Sequence, residues 1–151
     1  MKATLLFGSS RGNTRTVASR IGEWLDFPIT VVGVDRLDGA SGLIVRSDLL
    51  IFMASTWGDG ELQADMERFL VHTPLQMGGK PYVICELGNY YGYDDFEFGA
   101  ADIIKHFLDA AGGKELVEPF SMDSLPLKDW DTLARWCRLI NAAVEQSLCT
   151  T

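Results

Sequence analysis

The 151-residue chain lacks any uninterrupted apolar run approaching the roughly 18 residues of a membrane-spanning helix. It holds three cysteines, Cys85, Cys137 and Cys149, an odd number without metal-ligand spacing. That excludes a disulfide framework and a thiolate metal site, and free thiols suit a reducing cytoplasm. Only two histidines occur, His72 and His106, both in helical patterns and neither near a nucleophile. No G-x-x-x-x-G-K-[ST] motif exists, so no nucleoside-triphosphate loop is expected. Basic residues are missing from two stretches. Ser47–Glu67 contains Asp48, Asp59, Glu61, Asp65 and Glu67 but no Lys or Arg, and Pro81–Ile104 contains Glu86, Asp94, Asp95, Glu97 and Asp102 under the same condition. With a formal charge of −8, such segments repel nucleic acid and anionic membranes and attract a basic protein partner.

What is present is ordinary globular material, 47% hydrophobic and 23% charged, of a length that fits one domain over residues 1–151. The start, MKATLLFGSS, runs straight into a strand pattern, and its apolar stretch is too short for a signal peptide. A cytoplasmic protein is the expectation. The near-continuous apolar run at residues 2–7 reads as a strand buried on both faces, the β-branched run 29–34 and the apolar runs 48–55 and 81–87 read as three more strands, and about 114–120 reads as a fifth. Helical spacing marks residues 13–25 (Val17, Ile21, Trp24, Leu25), 63–72 (Met66, Phe69, Leu70), 96–111 (Ala100, Ile103, Ile104, Phe107, Leu108) and 127–148 (Trp130, Leu133, Cys137, Ile140, Val144). A short helix is expected near 42–45, and Gly112–Gly113 should stop the third long helix. Strands alternating with helices predict an α/β fold, a doubly wound five-stranded parallel sheet of order 2-1-3-4-5 with helices on both faces. Its ligands sit beyond the carboxyl ends of the strands, at the switch point between strands one and three.

Three loops reach that point. GSSRGNT, residues 8–14, offers hydroxyl and amide donors from Ser9, Ser10, Asn13 and Thr14, with Gly12 allowing a tight turn and a helix N-terminus behind it. It suits a phosphate, although small-residue turns also simply cap helices. STWGDGELQ, from Ser55, places Trp57 among small and acidic residues, where a large aromatic needs something flat to cover. LGNYYGY, residues 87–93, brings three more aromatics. A receiver domain of this fold would need acids at the end of strand one, where Gly8, Ser9 and Ser10 stand, and a low-molecular-weight tyrosine phosphatase would need a cysteine in the first loop. No nucleophile–base pair appears, and no metal ligands cluster, so the chain presents a binding site without catalytic residues.

Together these three loops resemble the FMN-binding loops of the flavodoxin family, and the likeness covers essentially the whole chain. The family's phosphate pattern [ST]-x-T-G-x-T falls on Ser9, Ser10, Arg11, Gly12, Asn13 and Thr14, with Arg11 where threonine is usual. Arg11 either turns to solvent or helps neutralise the phosphate. The resemblance implies that Trp57 lies flat on the isoalloxazine, with Ser55 and Thr56 reaching the phosphate or ribityl chain. It implies that Tyr93 covers the opposite face, and that backbone around Leu87, Gly88 and Asn89 meets the pyrimidine edge. Asn89 replaces a frequent aspartate, and Tyr90 and Tyr91 compete for the position of Tyr93. In the family the peptide between the residues matching Gly58 and Asp59 flips on one-electron reduction, and its carbonyl accepts a hydrogen bond from N5. Gly58 tolerates such a flip, and Gly60 follows in the same loop.

The function so implied is a low-potential, non-enzymatic one-electron carrier with non-covalent FMN, of the short-chain type. It would be a monomer shuttling electrons between basic-surfaced redox proteins, a reductase-type donor and an oxidoreductase acceptor. Acidic loops near the flavin would disfavour the second electron, since a carboxylate about 10 Å away costs roughly 0.4–1.6 kcal/mol. The alternative is an FMN-dependent NAD(P)H:quinone reductase of the same fold, against which no second nucleotide motif appears.

Overall fold

The run ATLLF forms β1 (Ala3–Phe7), each residue of which is buried. Apolar side chains on both sides of a strand require cover on both faces, and the elements that follow supply it. The computed structural model describes residues 1–8, 13–36, 41–57, 61–73, 75–88, 99–123 and 130–149. The chain proceeds through α1 (Asn13–Trp24), β2 (Ile29–Gly33), a 3-10 turn (Val34–Arg36), α2 (Ser41–Arg46), β3 (Leu49–Trp57) and β4 (Glu61–Leu62). It continues through α3 (Ala64–His72), β5 (Pro81–Gly88), α4 (Gly99–Ala110), β6 (Lys114–Glu115), β7 (Phe120–Asp123) and α5 (Trp130–Cys149).

The sheet runs β2-β1-β3-β5-β6, with β7 also on β5, and these pairings are parallel. That is the expected 2-1-3-4-5 order, its fifth strand made of two pieces. β6 pairs with Pro81 and Tyr82, and β7 pairs with Cys85 to Gly88. Leu116–Pro119 therefore stands opposite only Val83 and Ile84. Two surplus residues, one of them a proline without an N–H, break the ladder there. The bulge is tied to α5 by Trp136 Nε1, which donates to the Glu118 carbonyl at 3.2 Å.

Alternation along the strands divides the core in two. Leu49, Ile51 and Met53 of β3, with Val83, Cys85 and Leu87 of β5, pack under α1 and α5 against Val17, Ile21, Leu133, Cys137 and Ile140. Leu50, Phe52 and Ala54, with Tyr82 and Ile84, pack under α3 and α4 against Met66, Phe69, Leu70, Ala101, Ile104 and Leu108. Each large apolar side chain so buried stabilises the fold by about 1.5–3 kcal/mol. The helical stripes hold with local shifts. Ala101 is buried beside the stripe, and the side chain of Ala100 lies outside the described residues. Trp24 and Trp130 are only partly buried and meet edge to face, 6.2 Å between centroids.

The stops are chemical. At the end of α1, Asn141 of α5 donates Nδ2 to the Trp24 carbonyl at 3.1 Å and accepts from the Asp26 N–H at 2.9 Å. After α4, Gly112 takes φ +86° and the Gly113 N–H reaches back to the Leu108 carbonyl at 2.8 Å. This is the left-handed cap expected of the glycine pair. Among the described residues no helix is long and apolar enough to cross a membrane.

Candidate functional site

Register places the site. Phe7 of β1 is level with Met53 of β3, Ser55 with Leu87 of β5, and Gly88 with Asp123 of β7. The carboxyl ends of β1, β3 and β5 thus finish along one edge, and the three singled-out loops all leave from it. Gly8 continues β1 there, its N–H donating to the Met53 carbonyl at 3.0 Å.

Asn13 and Thr14 open α1, which begins at this edge. The first turns of α3, α4 and α5 contain Asp65 and Glu67, Asp102, and Asp131, whereas that of α1 contains no acid. A 12-residue helix with no carboxylate in its first turn is suited to an anion. The donor chemistry at this end therefore fits a phosphate. Ser9, Ser10, Arg11 and Gly12 lie outside the described residues.

Trp57 is not in a loop, contrary to the sequence reading that ended the strand at Ser55. β3 continues to Trp57 and then folds back, with Thr56 opposite Leu62 and Trp57 opposite Glu61 in an antiparallel pair. Antiparallel hydrogen bonding holds the backbone on either side of the three connecting residues, Gly58, Asp59 and Gly60, which lie outside the described residues. Ser55, Thr56 and Trp57 thus take backbone positions fixed by the sheet. Leu87 is buried and points into the α1/α5 core, so only its backbone can serve a ligand. Gly88 closes β5. Asn89, Tyr90, Tyr91 and Tyr93 lie outside the described residues.

Gln63, behind these loops, escaped the sequence reading, as did the packing role of Gly8. Gln63 caps α3, its Oε1 accepting from the Met66 N–H at 3.0 Å, and is 2% exposed. Gly8 packs so closely on it that a Cβ would lie 2.3 Å from Gln63 Oε1 and 3.0 Å from the Met66 Cβ. A glycine at a strand end was a signal for such an approach. Gln63 carried none, because glutamine is a rare N-cap.

Two of the acids assigned to the loop surface lie elsewhere. Asp48 sits at the opposite edge of the sheet, its Oδ2 accepting from the Lys2 N–H at 2.8 Å. Glu86 is 0% exposed, inside β5. Asp65, Glu67 and Asp102 do stand at the loop edge, in the first turns of α3 and α4. Cys85 and Cys137 are free and buried, as expected. Burial, with smaller contributions from Cys137 and Glu86, raises the Cys85 thiol far above its ordinary range, and burial pushes Cys137 up to about 12. Neither is a nucleophile at neutral pH.

Comparison with known proteins agrees with this geometry. The sequence model of the flavodoxin family matches residues 5–135. A flavodoxin of Nitratidesulfovibrio vulgaris is 28% identical over 149 residues, covering 91% of this chain and 96% of the relative. The solved flavodoxin of Streptococcus pneumoniae TIGR4 is similar with a TM-score of 0.79 at 25% identity, covering 94% of this chain and 99% of that one. A Fusobacterium nucleatum flavodoxin with flavin mononucleotide bound has a TM-score of 0.71 and covers 99% and 98%, but at 15% identity the likeness is one of fold. The chain belongs to the flavodoxin family, whose members transfer electrons rather than turn over a substrate.

Proposed function

We propose that the chain binds one FMN non-covalently at the carboxyl edge of the sheet and carries single electrons at low potential between larger, basic-surfaced redox proteins in the cytoplasm. The observation that carries this reading is the convergence of β1, β3 and β5 on one edge, where each is followed by one of the three loop motifs. The 8–14 loop and the start of α1 would take the phosphate, with Ser9, Ser10, Gly12, Asn13 and Thr14 as donors and Arg11 as the nearby cation. Trp57 and Tyr93 would cover the two ring faces, and the backbone from Leu87 to Asn89 would meet the pyrimidine edge. Bound FMN supplies the one-electron chemistry, and the protein adjusts its energetics.

The β3–β4 pairing gives the chain's part in that adjustment a physical basis. Thr56 and Trp57 are held against Leu62 and Glu61, on either side of the segment Gly58-Asp59-Gly60 to which the family resemblance points. A Gly58 carbonyl turned toward a newly protonated ring nitrogen would accept one hydrogen bond, a net gain of about 1 kcal/mol. For one electron that is roughly 40–45 mV.

Stepwise anaerobic reduction of the purified protein, followed by visible absorption, tests the reading. The expected result is a yellow protein that passes through a blue species at one electron per flavin. It should also oxidise NADPH negligibly unless a reductase is added. Bleaching in a single two-electron step with direct NADPH oxidation would favour a quinone reductase. A colourless protein that refuses added FMN would overturn the proposal.

A further inference from the structure

Among the described residues Glu86 is the one buried carboxyl group, and its position is specific. Alternation along β5 puts it on the face of Tyr82 and Ile84, toward α3 and α4, between Ala54 of β3 and Ser121 of β7. It stands two positions before Gly88, about 7 Å along the strand. The helix above it is pinned at the other end, where Tyr82 donates its hydroxyl to Asp109 of α4 at 2.6 Å. Tyr82 to Glu86 is about 13 Å of strand, and Asp109 back to Ala101 is about 12 Å of helix. The first turn of the 12-residue α4 therefore stands level with Glu86. That turn begins Gly99-Ala100-Ala101, of which Ala101 is buried. A carboxylate beneath the partial positive charge of a helix N-terminus can stay ionised without water.

We propose, resting on the FMN reading, that Glu86 is the buried charge that sets the cofactor's potential. Ionised at the positive end of α4, it opposes the arrival of negative charge at the adjacent ring edge. It takes up a proton once two electrons have arrived. The electrons come singly from the donor redox protein, and the proton comes from solvent and ends on a Glu86 oxygen. The buried region then gains one negative charge fewer than the electrons alone would bring.

Among the described residues, the charged groups of the surrounding elements are placed as follows. β1 and β3 contain no titratable residue. On α3, Asp65 pairs with Arg68 at 3.6 Å, and Glu67, Arg68 and His72 are exposed. On α4, Asp102 and His106 are exposed, while Lys105 holds Asp109 at 3.1 Å and Glu115 of β6 at 3.6 Å beside Tyr82, at the far end of β5. Among the described residues, Glu61 of β4 and Asp123 of β7 are the remaining acids near the loop edge, and Lys114 of β6 is exposed at the other. Unlike exposed acids, a buried charge is little screened by salt. At about 10 Å and an effective dielectric near 20, it changes an equilibrium by about tenfold or somewhat more.

The test compares wild-type and Glu86→Gln holoprotein by FMN titration and by midpoint potentials across pH and salt. Glu86→Gln should bind oxidised FMN much as wild type does, and should favour fully reduced over oxidised FMN about tenfold more at neutral pH. Carried by one electron, that is about 59 mV. The difference should persist in high salt and vanish at low pH, where the wild-type carboxyl is also neutral. Potentials that coincide at every pH overturn the proposal. A second readout needs no variant: the carboxyl carbon resonance of Glu86 in wild-type holoprotein should titrate at higher pH when the protein is fully reduced than when oxidised, and equal midpoints overturn the proposal. A wild-type chain that does not take FMN overturns the FMN reading as well. One that takes FMN with potentials indifferent to Glu86 overturns this inference alone.

Discussion

Gly8 is where chain packing and the candidate phosphate loop meet. Its backbone ends β1, its N–H is bound to Met53, and its missing side chain is the space occupied by the amide of Gln63. Gly8→Ala would drive a methyl group into Gln63 Oε1, which is also the acceptor for the Met66 N–H. Gln63 would have to release the cap or Met66 would have to move, since its Cβ is also at the contact limit. A lost N-cap costs about 1 kcal/mol and overpacking about 1–3 kcal/mol. We therefore expect Gly8→Ala to lower stability by about 1–2 kcal/mol in urea denaturation with an unchanged slope. Gly8→Ala combined with Gln63→Ala should recover part of the packing loss, because the clashing amide is gone. A single variant as stable as wild type would show that the approach of α3 to β1 is not tight.

At the scale of elements, one polar cluster ties β5, α4 and β6 together at the amino end of β5. Tyr82 donates to Asp109, and Lys105 bridges Asp109 and Glu115. Burial and the Asp109 hydrogen bond raise the Tyr82 hydroxyl to about 12 from about 10. The hydrogen bond to Asp109 raises the Lys105 ammonium, and the hydrogen bond from Tyr82 lowers the Asp109 carboxyl. A raised folded value favours the protonated form in the native state, so the Tyr82 contribution is complete below about pH 10. It is lost as the unfolded chain alone deprotonates between about pH 10 and 12. Lys105 adds a loss of the same sign. Tyr82→Phe should cost about 1 kcal/mol at neutral pH and show a shallower decline of stability above pH 10 than wild type, measured by chemical denaturation at fixed pH. Parallel declines would disprove the coupling. The strands in this region were legible in the sequence because buried parallel strands are near-continuous apolar runs, and the helices because Met66, Phe69 and Leu70, or Ile104 and Leu108, recur at helical spacing. The extension of β3 to Trp57 was not, because it depends on pairing with Glu61 and Leu62 across a glycine-bearing connection that reads locally as loop. Nor was the break before β7, which shows only when the register of β5 is known. Glu86 was misread because a carboxyl group is ordinarily exposed, and nothing in PYVICELG marks this acid as buried within the strand. Of the candidate site, the strand ends that present the loops are placed, whereas most of the loop side chains lie outside the described residues.

Across the whole molecule, charge is arranged with respect to the sheet. The formal net charge is −8. Asp48 lies at the far edge and Glu86 inside β5, whereas Asp65, Glu67 and Asp102 stand at the loop edge on helix first turns. Asp65, Glu67 and Asp102 are exposed or partly exposed groups at the carboxyl edge of the sheet, and their field extends about one Debye length, roughly 8 Å at physiological salt and 30 Å at 0.01 M. Attraction of a basic redox partner to this edge would then be a long-range effect on encounter, strong at low salt and weak at high salt. We expect the second-order rate of electron transfer from the reduced protein to a basic cytochrome to fall at least about tenfold between low and high ionic strength, read by stopped-flow absorption. Asp65→Asn with Glu67→Gln should flatten that dependence and slow the low-salt rate while leaving the high-salt rate near wild type. Reversing Asp48, at the far edge, should do much less. An equal effect from Asp48→Lys would mean that net charge alone governs encounter, and that the partner does not approach by the edge where β1, β3 and β5 end.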